Sequence, residues 1–148
     1  MAERVVVEQE VPADPAAVYA AWTDADRLAR WWWPHLRDTR YVLDAREGGS
    51  YLIETEAAGI GIRGRFVELD PPRLIRFTWT WLNDGVPVVE EPVSIAFQPQ
   101  GDGTLVTVTH ELDDLPDHAE NIRLGWEDVL GRLGRLYSQD RQRDGSAR

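Results

Sequence analysis

The sequence predicts an α+β fold: one antiparallel sheet of about seven strands, curved around a long C-terminal helix, with two short helices after the first strand. Three observations carry this. Apolar residues recur with period two from Arg40 to Leu112, broken by turn signals, and at spacings of three and four from Ile122 to Tyr137. A strand-like run and two helix-start signals precede both regions. The 148 residues suit one domain, expected to span residues 1–148.

RVVVEQEV, from Arg4 to Val11, alternates as a strand does. VPADP then supplies turn residues, with Asp14 as the cap and Pro15 at the first position of a short helix to Trp22. Thr23 or Asp24 caps a second helix, from Ala25 to about Trp32, which Pro34 ends by disfavouring helical geometry at the residue before it.

Gly48-Gly49, Ala58-Gly59, Asp70-Pro71-Pro72, Asn83-Asp84-Gly85 and Gly101-Asp102-Gly103 then punctuate the chain at hairpin spacing. They separate six strands, at 40–46, 50–57, 60–69, 73–82, 90–98 and 104–112. In the last segment Ile122, Trp126, Val129, Leu130, Leu133, Leu136 and Tyr137 form one helical stripe. Pro116 is expected to open this helix and Asp140 to lie near its end, with a frayed, flexible polar tail from about 139. Gly125 borders the stripe and is expected to permit close approach to the sheet; Gly131 faces the other way.

Composition excludes several function classes. A net charge of −10 with no basic tract lacks the electrostatic footprint for nucleic acid or anionic lipid. No apolar run approaches the ~20 residues of a membrane span, and the start, MAERVVVEQE, lacks a signal peptide's pattern, so a cytoplasmic protein is expected. Cysteine and lysine are both absent, which removes thiol nucleophiles, disulfides, Schiff bases and lysine bases. The three histidines, His35, His110 and His118, show no metal spacing; neither a metal nor another cofactor is expected. Ser50 sits in no nucleophile elbow, and Gly48-Gly49 belongs to no phosphate-binding fingerprint.

Strand parity turns Tyr51, Ile53, Ile62, Phe66, Ile75, Phe77, Trp79, Trp81, Val93, Ile95, Phe97, Val106, Val108, His110 and Leu112 inward. Glu54, Glu56, Arg63, Arg65, Arg76 and several threonines take the other face, where cross-strand ion pairs suit a wet surface. Four of the seven tryptophans fall between Trp22 and Trp33. Trp31, Trp32 and Trp33 cannot all face one way on a helix, so one is expected in the core and another exposed or over a cavity mouth.

His110 is the polar residue of most interest: inward, near the end of its strand, able to orient a ligand or move a proton, or else buried and satisfied by a carboxylate or backbone partner. Glu68 also alternates inward, as an acid or base with a raised pKa or as a solvated strand end. These two are the catalytic candidates.

Five segments in order, VEQEVPADPAAVYAAWTDADRLARWW, DAREGGSYLIE, GRFVELDPPRLIRFTWTW, VSIAFQPQGDGTLVTVTHELDDL and HAENIRLGWEDVLGRLGRL, cover nearly the whole chain. In them the chain resembles the ATPase-activator-like branch of the helix-grip superfamily, named for the activator of the ninety-kilodalton heat-shock protein ATPase and grouped with START domains, polyketide cyclases and the major birch pollen allergen. The resemblance implies a helix-grip fold. Similar proteins include hydrophobe carriers, aromatase/cyclases, stress proteins and the co-chaperone itself, which also uses a separate amino-terminal domain for which this chain has no room.

The expected function is binding of a small hydrophobic ligand, aromatic ones included, in a cavity between the sheet and the C-terminal helix. Trp32, Tyr51, Ile53, Phe66, Phe77, Trp79, Trp81, Phe97, His110, Trp126 and Leu130 are the candidate lining. The alternatives are an acid–base enzyme of cyclase, isomerase or hydrolase type in the same cavity, or a protein-interaction module with a chaperone partner presenting exposed tryptophans. A homodimer through a strand edge or the tryptophan cluster is a further possible assembly.

Overall fold

The structure is a computed structural model describing residues 3–113 and 117–146. Its elements follow in the expected order: β1 (Glu3–Val11), α1 (Pro15–Thr23), α2 (Ala25–Leu28), β2 (Thr39–Leu43), β3 (Ser50–Thr55), β4 (Ile60–Asp70), β5 (Leu74–Asn83), β6 (Val86–Gln100), β7 (Gly103–Leu112) and α3 (His118–Ser146). The seven strands form one antiparallel sheet in the order β1-β7-β6-β5-β4-β3-β2, so β1 closes on β7 and the two helices after it cross to the far edge.

Local chemistry explains most boundaries. Asp14 accepts from the Ala17 amide at 2.8 Å and Pro15 begins α1; Asp24 accepts from the Asp26 amide at 3.0 Å and caps α2. Asp84 and Gly85, at φ 48 and 82, make a two-residue turn that joins Asn83 directly to Val86, so β6 begins earlier than its apolar run suggests.

Two helices differ from expectation. α2 stops at Leu28: Arg30 and Trp31 turn back on the carbonyls of Arg27 and Leu28, and Trp33, barred from helical geometry by Pro34, lies at φ 53. α3 continues to Ser146, past the expected end near Asp140: Arg141, Gln142 and Arg143 favour the helix, and it ends just after Gly145. The expected opening at Pro116 lies outside the described residues.

α3 packs on β1 and β7, with Trp126, Val129, Leu130 and Leu133 buried, while α1 covers β6 and β7 and α2 meets β2. Gly134, not Gly125, is where α3 approaches the sheet: a Cβ there would lie 2.7 Å from the Gln9 side chain and 3.3 Å from the Glu10 carbonyl. Gly125 faces open space. Gly125→Ala should therefore stabilise the protein by up to about 1 kcal/mol through helix propensity alone, measured by urea unfolding.

Candidate functional site

The interior divides into an apolar half and a polar cluster. The apolar half holds a cavity of about 40 Å³ between β3–β5 and the α1–α2 segment. Trp22, Leu28 and Trp32 cover it from one side, and Tyr51, Ile53, Ile62, Phe66, Ile75, Phe77 and Trp79 floor it from the sheet. Leu43, on edge strand β2, completes the lining and is the half-buried member; the others are buried.

The cavity owes its position to the tryptophan turn. Because α2 ends early, Trp31, Trp32 and Trp33 are not splayed around a helix, and all three are buried: Trp31 is in the core, and of the two places expected for another, exposed or over a cavity, Trp32 takes the cavity. Trp31 donates from Nε1 to the Ala21 carbonyl at 3.1 Å, and the Tyr41 hydroxyl donates to the Trp32 carbonyl. Trp32 lies at the centre of the cluster, its ring 6.3 Å from Trp22, 6.1 Å from Trp79 and 5.4 Å from Trp126. Trp33 packs on Trp81 at 6.0 Å.

Tyr51 reaches across β4 to donate its hydroxyl to the Thr78 carbonyl at 2.6 Å, past Gly64, where a Cβ would fall 1.9 Å from that same oxygen. Burial pushes the Tyr51 phenol well up, so it stays a neutral donor. The indole N–H groups of Trp22, Trp32 and Trp79 have no hydrogen-bond partner among the described residues, and all three belong to cavity-lining residues. An unpaired buried donor costs about 1–3 kcal/mol. The Tyr19 hydroxyl is likewise unpaired, outside the lining.

The polar cluster lies at the end of β6 and β7 beneath α3. Trp126 Nε1 donates to His110 Nδ1 at 3.0 Å, so the neutral ring carries its proton on Nε2 and donates to Glu91 Oε1 at 2.8 Å. The other oxygen of Glu91 accepts from the Asp113 amide at 2.9 Å and His118 Nε2 at 2.7 Å. Burial pushes the Glu91 carboxyl up, but hydrogen bonds from His110, the Asp113 amide and His118 outweigh it and hold the group below the usual carboxylate range. Glu91 is 2% exposed and His110 fully buried, so this is an internal carboxylate binding the end of β7 to the start of α3.

Of the expected lining, Trp32, Tyr51, Ile53, Phe66, Phe77 and Trp79 surround the cavity. Trp81, Phe97, His110, Trp126 and Leu130 do not: the cavity lies against the α1–α2 segment, not against α3. The reason is that Trp126 fills the space beneath α3 by stacking on Trp22 at 6.1 Å and tilting on Trp79 at 5.2 Å. Phe97 is occupied by Tyr19 and Trp22, and Trp81 by Trp33 at the edge.

Glu68 does not point inward. A bulge between Phe66 and Glu68 leaves Val67 60% exposed and shifts parity, so Glu68 sits opposite Arg76 on the outer face, 3.5 Å from its guanidinium. The outer-face pairing is also seen at Arg40 and Glu54, 2.7 Å apart. From the sequence His118 is weighed only as a metal ligand and Glu91 is not reached, although Glu91 shares the inward parity of Val93, Ile95 and Phe97. No group of three His, Asp or Glu side chains among the described residues is placed to hold a metal ion. Nor is any described helix long and apolar enough to cross a membrane.

A curved seven-stranded sheet, short helices after the first strand and a long last helix define the helix-grip class. The signature of the family described as "Activator of Hsp90 ATPase homolog 1-like protein" matches residues 12–138, and the chain belongs to that family. Among solved structures it is similar to CalU16 from Micromonospora echinospora, with 25% identity over 96% of this chain and 80% of that one and a TM-score of 0.72. It is similar to DynU16, described as from the dynemicin biosynthetic locus, with 25% identity over 91% of this chain and 47% of the other and a TM-score of 0.75. PFC0360w, an HSP90 activator from Plasmodium falciparum, shares the fold at 21% identity over 91% and 96% of the two chains, with a TM-score of 0.70. No curated protein matches the chain closely enough to count as a relative.

Proposed function

We propose that the protein binds a small apolar, aromatic ligand in the cavity between β3–β5 and the α1–α2 segment. The observation that carries this is a partly open apolar cavity with walls supplied by indole, phenyl and aliphatic side chains from both layers of the fold. At about 40 Å³ it exceeds the ~10–15 Å³ that a water requires and falls below the ~300–1,000 Å³ of formed ligand pockets. Binding therefore requires the rim to yield, and Leu43 on the five-residue edge strand β2 and Leu28 on the four-residue α2 are the lining groups on the shortest elements.

A small-molecule role also suits the 25% identity with DynU16, a protein of a biosynthetic locus. The interaction-module reading loses its anchors, since six tryptophans are buried and Trp81 is half-buried. An acid–base role for His110 is disfavoured because both ring nitrogens are engaged and neither faces the cavity.

The test is a titration with N-phenyl-1-naphthylamine, an uncharged apolar dye, read by energy transfer from the tryptophans. Saturable binding is expected, weakened at least about tenfold in Ile62→Phe, which fills the cavity from its floor. Absence of saturable binding by the folded wild-type protein contradicts the proposal.

A further inference from the structure

We infer that the ligand is an uncharged, flat molecule bearing a carbonyl-type acceptor, received by the indole N–H groups of Trp22, Trp32 and Trp79; this rests on the cavity reading above. Buried donors in folded proteins are nearly always paired, and three of the other four indoles have a protein partner. Trp31 donates to Ala21, Trp81 to Asn83 and Trp126 to His110. The three that are unpaired, Trp22, Trp32 and Trp79, all line the cavity, and neighbouring rings among them lie 6.3 and 6.1 Å apart. Three of the four unpaired buried side-chain groups among the described residues thus belong to residues that surround the cavity; the Tyr19 hydroxyl does not.

Donor chemistry sets the ligand's class. Indole N–H donates and cannot accept, so the complementary group is an acceptor. The remaining lining is hydrocarbon except for the Tyr51 hydroxyl, whose proton is already given to Thr78. Among the described residues no arginine or histidine lines the cavity to offset a negative charge, and no carboxylate lines it to offset a positive one. A carboxylate ligand would enter unpaired; a neutral ketone would not. Aromatic walls with negative faces and positive edges favour a flat ring carrying that carbonyl.

The experiment compares 1-indanone with indane, which differ at one carbon, carbonyl against methylene, and follows the tryptophan indole N–H signals by proton–nitrogen NMR. The expected result is at least about tenfold tighter binding of 1-indanone, with downfield shifts at Trp22, Trp32 or Trp79 that indane does not cause. Trp79→Phe, which keeps a ring and removes a donor, should narrow the ratio between the two affinities. Equal binding of the two probes overturns the inference but leaves the cavity reading standing, with ordered water then satisfying the donors. Binding of neither overturns both.

Discussion

Replacing Glu91 with alanine should cost about 3–5 kcal/mol of stability, because it unpairs three donors: the buried His110 ring and the part-buried Asp113 amide and His118 ring. On a chain of this size that is a fall of roughly 10 °C in Tm, measured by calorimetry. Glu91→Gln retains one acceptor and turns an amide NH₂ towards another donor, so its loss should be smaller, about 1–3 kcal/mol. His110→Ala should also destabilise, since it unpairs both Glu91 Oε1 and the Trp126 indole.

The same carboxylate makes stability depend on pH. Its folded pKa lies below its ordinary value, so the ionised form adds stability above the ordinary carboxylate range, and that contribution is lost as pH falls through the depressed value. The melting temperature of the wild type should therefore drop more steeply than that of Glu91→Gln between about pH 5 and pH 3. Parallel curves would mean that Glu91 is not ionised in the folded protein.

Trp32→Ala carries the second large effect. The ring touches Trp22, Trp31, Trp33, Trp79 and Trp126, and its removal should cost about 3–5 kcal/mol. Because Trp32 also lines the cavity, the same substitution enlarges it. The variant should be unstable yet rescued by N-phenyl-1-naphthylamine, with a rise in Tm that grows with dye concentration and exceeds that of the wild type. Destabilisation without rescue would assign Trp32 to packing alone.

Most of the architecture was legible because its punctuation is local. Asp14-Pro15, Asp24 and the glycine-bearing turns fix where elements start, and period-two runs fix which strand residues face inward. Features set by the backbone between those marks were not legible. The bulge at Val67 turned Glu68 outward, and the left-handed Trp33 buried a run of three tryptophans that helical geometry would have spread apart. The site was half legible for a related reason. Parity turns Tyr51, Ile53, Phe66, Phe77 and Trp79 inward, where they line the cavity, but it cannot say which helix lies above a given strand. Trp126 was therefore assigned to the cavity when it fills the space under α3. Glu91 shared its neighbours' inward parity; only its charge argued against the interior, and its partners His110 and His118 lie 19 and 27 residues away in sequence.

The measurement that bears most directly on the ligand-binding role is native mass spectrometry of the protein as purified, followed by denaturing extraction and chemical analysis of whatever it carries. The account predicts a stoichiometric, uncharged aromatic molecule that is retained by the wild type and lost from Ile62→Phe. A protein that is empty as purified, and that also fails to bind N-phenyl-1-naphthylamine or 1-indanone, would contradict it.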